Sequence, residues 1–64
     1  MQKGTVKFFN EAKGFGFISP SEGGNDIFVH STGLNTRSIR ENDQVVFDVQ
    51  KGDRGLNAVN VKLA

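Results

Sequence analysis

Lys13-Gly14-Phe15-Gly16-Phe17-Ile18 is the stretch on which the reading of this chain turns. Its two Phe stand at i and i+2, so on a strand both rings lie on one face. Gly16 between them puts no side chain on the other face and lets a second backbone approach closely. Ile18 points away from the rings and carries a bulky apolar group suited to a core. Lys13 stands just ahead of them. Two rings beside a cation make a poor core and a good stacking platform for unpaired bases. Taken alone, two Phe also fit an ordinary core strand, because large apolar side chains are usually inside. The rest of the chain decides between the two.

With 64 residues the chain reads as a single domain, 1–64. A domain this small buries only ~60% of its unfolded surface. There is no cysteine and one histidine, so neither a disulfide framework nor a thiolate metal site is expected, and no cofactor is implied. Lack of cysteine fits a reducing compartment. No signal peptide, membrane-spanning run or targeting segment is visible, and a soluble cytoplasmic protein is expected. The net charge is only +1, from 8 basic and 7 acidic residues. A binder resting on phosphate contacts alone would be far more basic, so any binding of nucleic acid must draw much of its affinity from bases. Five of the 6 Phe fall between Phe8 and Phe28, and there is no Tyr or Trp.

Periodicity predicts strands throughout. Lys3 to Asn10 is the first, and the adjacent Phe8 and Phe9 break its alternation, which predicts a bulge or strong bend. Asn10 to Gly14 reads as a short turn, with Gly14 in a permissive conformation. Phe15 to Ser19 is the second strand, and Pro20 to Asn25 a breaker cluster. Asp26 to His30 alternates cleanly, with Ile27 and Val29 on one face and Asp26, Phe28 and His30 on the other. Ser31 to Asp43 has no strand pattern. Leu34 and Ile39 are expected to pin it to the core, and a helical turn fits Ser31-Thr32-Gly33. Gln44 to Gln50 is the fourth strand, Lys51 to Gly55 a polar turn, and Asn57 to Leu63 the fifth strand, with Val59, Val61 and Leu63 on one face.

Five short strands without a long helix give a small all-β barrel or sandwich. The expected core is Val6, Ile18, Ile27, Val29, Leu34, Ile39, Val45, Phe47, Val49, Val59 and Val61. It closes without Phe15, Phe17 or Phe28, which is the physical reason to place those rings at the surface.

The same residues carry a family resemblance. Lys13 to Ile18 resembles the RNP1 motif of cold-shock domains, and Ile27-Phe28-Val29-His30 resembles their RNP2 motif. Lys7-Phe8-Phe9-Asn10 looks like their first-strand pattern, and Arg54-Gly55 and Asn60-Val61 echo the last turn and strand. The resemblance spans the chain. It implies an all-β, five-stranded antiparallel OB-fold barrel that binds single-stranded RNA and DNA with low sequence selectivity, often favouring pyrimidines. It implies an RNA chaperone and transcription antiterminator of the cold-shock or stress response. Matched position by position, the stacking aromatics fall on Phe8, Phe15, Phe17 and Phe28, with His30 beside them. The peripheral cations fall on Lys7, Lys13 and Arg54, and Phe9 is expected to be partly buried. Relatives often have Trp where this chain has Phe8, an aromatic where it has Ser31, and another within Asn35 to Arg40, where it has none. A shorter footprint or lower affinity is therefore expected.

Stacking contributes ~1–3 kcal/mol per base by alanine substitution and tolerates any sequence. His30 is read as a stacking or hydrogen-bonding group, with no nucleophile or carboxylate arranged around it for catalysis. Asp26 reads equally as an acceptor for a base edge and as a turn-capping or solubilising group. Lys13 is the favoured phosphate contact. Lys3, Arg37, Arg40, Lys51 and Lys62 read as solvated charges. The alternative from another class is a protein-contact patch made of the same rings, and an enzyme is disfavoured. A monomer without an obligate protein partner and away from membranes is expected, with a strand-swapped dimer through 31–43 as the alternative.

Overall fold

β1 (Gln2–Asn10) serves both core and surface through one extra residue. Val6 is fully buried, and strict alternation from it would turn Phe8 inward. The register prevents this: Val6 pairs with Ile18 of β2 (Phe15–Pro20), but Phe8 pairs with Phe17, leaving Lys7 as a bulge on β1. A bulge reverses the phase of a strand. Phe8 therefore turns outward while Phe9 packs against the core. Asn42 and Asp43 hold the residue before the bulge. Val6 N–H donates to the Asp43 carbonyl at 2.9 Å, and the Val6 carbonyl accepts from Asn42 N–H at 2.8 Å.

The chain is seen in a computed structural model that describes residues 1–36, 38–52 and 55–64; Arg37, Asp53 and Arg54 lie outside the described residues. β3 is Ile27–His30, a 3-10 turn follows at Ser31–Gly33, β4 is Gln44–Gly52 and β5 is Gly55–Leu63. The strands close a barrel in the order β1-β2-β3-β5-β4, with β4 returning to β1. The pairs β1–β2, β2–β3, β1–β4 and β4–β5 are antiparallel. The β3–β5 pair is parallel, with Phe28 opposite Asn57 and Val29 opposite Ala58. The barrel is thus mixed where an antiparallel one was expected. The reason is arithmetic: directions cannot alternate at every junction of a ring with an odd number of strands. The parallel junction falls where the long 31–43 connection lets β4 and β5 pair with each other before β5 reaches β3.

The core consists of Val6, Ile18, Ile27, Val29, Ile39, Val45, Phe47, Ala58 and Val61, with Phe9, Leu34 and Val49 packed against it. Leu34 and Ile39 pin the 31–43 segment as the sequence predicts: Ile39 is buried, and Leu34 bridges to Val61. β5 departs from its expected pattern. Ala58 takes a core position, Val59 is only half-buried, and Leu63 is 53% exposed. A register shift between Val46 and Asp48 leaves an extra residue on β5. There Asn60 adopts a left-handed conformation, φ 55°. Ala58 and Val61, three apart, both reach the core as a result, and Val59 turns partly outward.

Gly14 has φ +77°, which meets the expected turn, and its N–H donates to the Asn10 carbonyl at 2.8 Å. Gly16 is buried on the inner face of β2. A Cβ there would lie 2.7 Å from Phe9 Cα and would also overlap the Phe8 carbonyl oxygen. The missing side chain is what lets the bulged part of β1 lie against the strand that carries Phe15 and Phe17.

Candidate nucleic-acid interface

Three neighbouring strands bring four rings together. Phe8 on β1 stands directly opposite Phe17 on β2, and Phe17 stands opposite Phe28 on β3. Phe15, two residues from Phe17, is diagonal to both. The centroids make a closed circuit: Phe8–Phe17 at 5.6 Å, Phe17–Phe28 at 5.8 Å, Phe28–Phe15 at 6.0 Å and Phe15–Phe8 at 6.4 Å. Such cross-strand contacts stabilise a sheet face. Phe15 and Phe28 are nearly parallel, at 21°, while Phe17 and Phe28 meet edge to face at 77°. None of the four belongs to the buried core. Phe8 is 39% exposed, and the other three are half-buried. The sequence places these rings at the surface, and the structure refines that: they share one open face and cover much of one another's sides.

His30 stands opposite Phe15 across the β2–β3 ladder. Lys13, Phe15, Phe17, Phe28 and His30 line one shallow groove. Here a cation, an imidazole and three rings converge, as the spacing along β2 and β3 predicts. On the other side of Phe17 and Phe28 a second groove runs past Pro20, Gly24, Asp26 and Leu56. Leu56, 53% exposed, lies between the turn and the last strand read from the sequence and falls in neither.

Lys7 and Asp26 differ from the expectation of two independent contacts. Lys7 Nζ lies 2.9 Å from Asp26 Oδ2 across the start of β3, with side-chain exposures of 62% and 32%. An exposed pair of this kind contributes ~0–1 kcal/mol to stability. Its main effect is to place the cation of the bulge beside the rim of the rings while partly neutralising it. The expected cation Arg54 lies outside the described residues.

A second detail invisible at sequence level concerns His30. Its Nδ1 lies 3.2 Å from the Thr32 backbone nitrogen and 3.0 Å from Thr32 Oγ1. Thr32 is two residues beyond the strand, where side-chain to backbone bonds of this local type form, but no spacing signal marks the pair.

The fold is a small mixed β-barrel of OB type, with four clustered aromatics on one sheet face and Lys13 and Lys7 near them. The chain belongs to the cold-shock domain family: the family model described as the 'Cold-shock' DNA-binding domain matches residues 2–64. The chain is 50% identical to the major cold shock protein of Streptococcus pyogenes serotype M1, with both chains covered in full. It is 48% identical to the cold shock-like protein CspA of Stigmatella aurantiaca, over 97% of this chain and 96% of the relative. Among solved structures, it is similar to Drosophila Unr CSD456 with a TM-score of 0.80 and 32% identity, covering 98% of this chain and 26% of that one.

Proposed function

We propose that this protein binds single-stranded RNA and DNA with low sequence selectivity, by stacking unpaired bases on Phe8, Phe15, Phe17 and Phe28. The observation that carries this reading is the closed circuit of four rings on an open sheet face, outside a core that is complete without them. Every base has a π-face, so the mode tolerates sequence. Paired bases hide their faces, so it discriminates against duplex. Lys13 contacts the backbone at the groove, Lys7 flanks the platform, and His30 and Asp26 meet base edges; Arg54 is added as a further cation by the family resemblance alone. Binding of unpaired strands draws RNA secondary structure toward the open state by mass action. That needs no nucleotide hydrolysis and is the physical basis of an RNA chaperone and transcription antiterminator in cold-shock or general stress response. The protein is read as a non-enzymatic cytoplasmic monomer, with residues 1–64 as one domain. Ser31 and the segment Asn35 to Arg40 carry no aromatic, so the platform ends at His30 and the footprint is short.

The test is a titration of fluorescently labelled oligo-T against a hairpin duplex of similar length. Clear preference for the unpaired strand is expected. Equal binding of the two would sink the stacking model and leave the rings as a protein-contact patch.

A further inference from the structure

We propose that Thr32 is a positioning residue that holds the His30 ring with Nδ1 turned inward as an acceptor and Nε2–H turned outward as a donor to a base edge. The inference rests on the single-strand reading above and adds to it a specific hydrogen-bond polarity at His30.

The geometry sets that polarity. His30 is the N-cap of the 3-10 turn Ser31–Gly33, with extended backbone at φ −109° and ψ 152°. Its side chain accepts from the Thr32 backbone N–H, with Nδ1 at 3.2 Å from the amide nitrogen. A backbone N–H can only donate, so Nδ1 must offer its lone pair. In neutral imidazole one ring nitrogen then accepts and the other carries the proton. The proton is therefore on Nε2. Thr32 Oγ1, 3.0 Å from the same Nδ1, donates its hydroxyl proton toward the same lone pair. Two donors from one residue thus converge on one side of the ring, and both the ring angle and the tautomer are fixed before any ligand arrives.

The turn that supplies these donors is itself held. Ser31 N–H donates to the Gly14 carbonyl at 2.8 Å, which ties the turn to the start of β2. Leu34 N–H closes the turn onto the Ser31 carbonyl at 3.3 Å. His30 lies across from Phe15 and shares a groove with Phe28 and Lys13. A base lying on Phe15 or Phe28 brings its edge, with ring-nitrogen or carbonyl acceptors, toward the imidazole. A histidine free to rotate would present either polarity. Held this way, it presents one donor, and the ordering cost of binding is lower.

The test uses the whole 64-residue chain. In ligand-free, uniformly 15N-labelled protein, a through-bond coupling between the Thr32 amide nitrogen and an unprotonated His30 Nδ1 is expected. A protonated Nδ1 in the neutral ring, with no coupling, would overturn the positioning. For binding, Thr32→Val removes the hydroxyl donor but keeps the backbone N–H, so it loosens the ring angle without changing the tautomer and should weaken labelled oligo-T by about 2- to 10-fold, the worth of one net hydrogen bond. Thr32→Ser should retain wild-type affinity, and the Thr32→Val effect should vanish in a His30→Ala background. An equal Thr32→Val loss in that background would overturn the role through His30, whatever the variant's stability. Oligo-T with neutral methylphosphonate linkages should keep the Thr32 effect; its disappearance there would move the acceptor to the phosphate and overturn the base-edge assignment. Failure of the wild-type protein to prefer oligo-T over duplex would overturn the single-strand reading, and with it the donor's target. The Thr32–His30 coupling would still decide whether the ring is held.

Discussion

Replacing Phe17 separates binding from folding at the centre of the platform. Phe17 is half-buried and touches Phe8 and Phe28 at centroid distances of 5.6 and 5.8 Å. Each aromatic pair contributes ~0.5–1.5 kcal/mol beyond area burial, so the two ring contacts alone put the cost of Phe17→Ala at ~1–3 kcal/mol of stability, to which the half-buried ring area adds. That is more than an isolated surface ring would lose. The core control is Phe47→Ala. Phe47 is fully buried, and its truncation should cost ~3–5 kcal/mol. A 64-residue domain has only ~3–10 kcal/mol in total, so this variant should melt at least about 12 °C lower or fail to fold. Binding should show the reverse order of interest: loss of one stacked base is ~1–3 kcal/mol, or about 5- to 150-fold in Kd. Phe17→Leu sharpens the comparison. It keeps most of the apolar volume, for a stability loss under about 1.5 kcal/mol, but removes the π-face. The chain has no Trp or Tyr to report binding, so Kd is read from anisotropy of labelled oligo-T at a temperature where circular dichroism shows each variant folded. Undiminished binding by Phe17→Leu would refute stacking at this ring. Destabilisation of Phe17→Ala as large as that of Phe47→Ala would show that the ring is a core residue.

Gly16→Ala places a Cβ against the backbone of Phe8 and Phe9, which cannot swing aside; a loss of ~1–3 kcal/mol in urea unfolding is expected, and a shift within about 0.5 kcal/mol would show that β1 yields freely. Lys13→Gln should reduce the slope of log K against log salt by about 0.7, one phosphate contact on a single strand. Lys7→Gln should reduce it by less, because Lys7 is already paired with Asp26; equal reductions would show that the pair opens on binding. Asn60→Ala keeps a Cβ at φ 55° but loses the short amide side chain that eases this conformation and that donates to Asp48 Oδ2 at 3.3 Å, so a loss of ~0.5–1.5 kcal/mol is expected in thermal melts, and an unchanged melting temperature would show that the β5 irregularity can relax.

Much of the barrel was legible because its signals are local. Alternation along β3 put Ile27 and Val29 inside and Phe28 and His30 outside, and both placements hold. Gly14 and Gly16 announced a positive φ and a close backbone approach, which the structure bears out. Adjacent Phe8 and Phe9 announced a bulge, because two large neighbours cannot both enter one core from a regular strand. β5 was less legible. Its valines at 59 and 61 alternate as if the strand were regular, and only the left-handed Asn60 and the shifted β4–β5 register put Ala58 in the core instead of Val59. The parallel β3–β5 junction is a property of the closed ring, which no segment's own pattern contains.

Residue types and spacing marked which residues could form the site: rings, cations and an imidazole at period-two spacing, beside a core that fills without them. Tertiary structure alone decided how those residues meet. The one-residue bulge at Lys7 turns Phe8 onto the face of Phe17, and cross-strand registry closes four rings into one circuit. Lys7 acquires Asp26 as a partner, nineteen residues away, and His30 acquires its polarity from Thr32. Composition and local alternation specify residue types and the direction of side chains on a regular strand, whereas bulges and contacts between strands depend on register, and register is fixed only when the barrel closes.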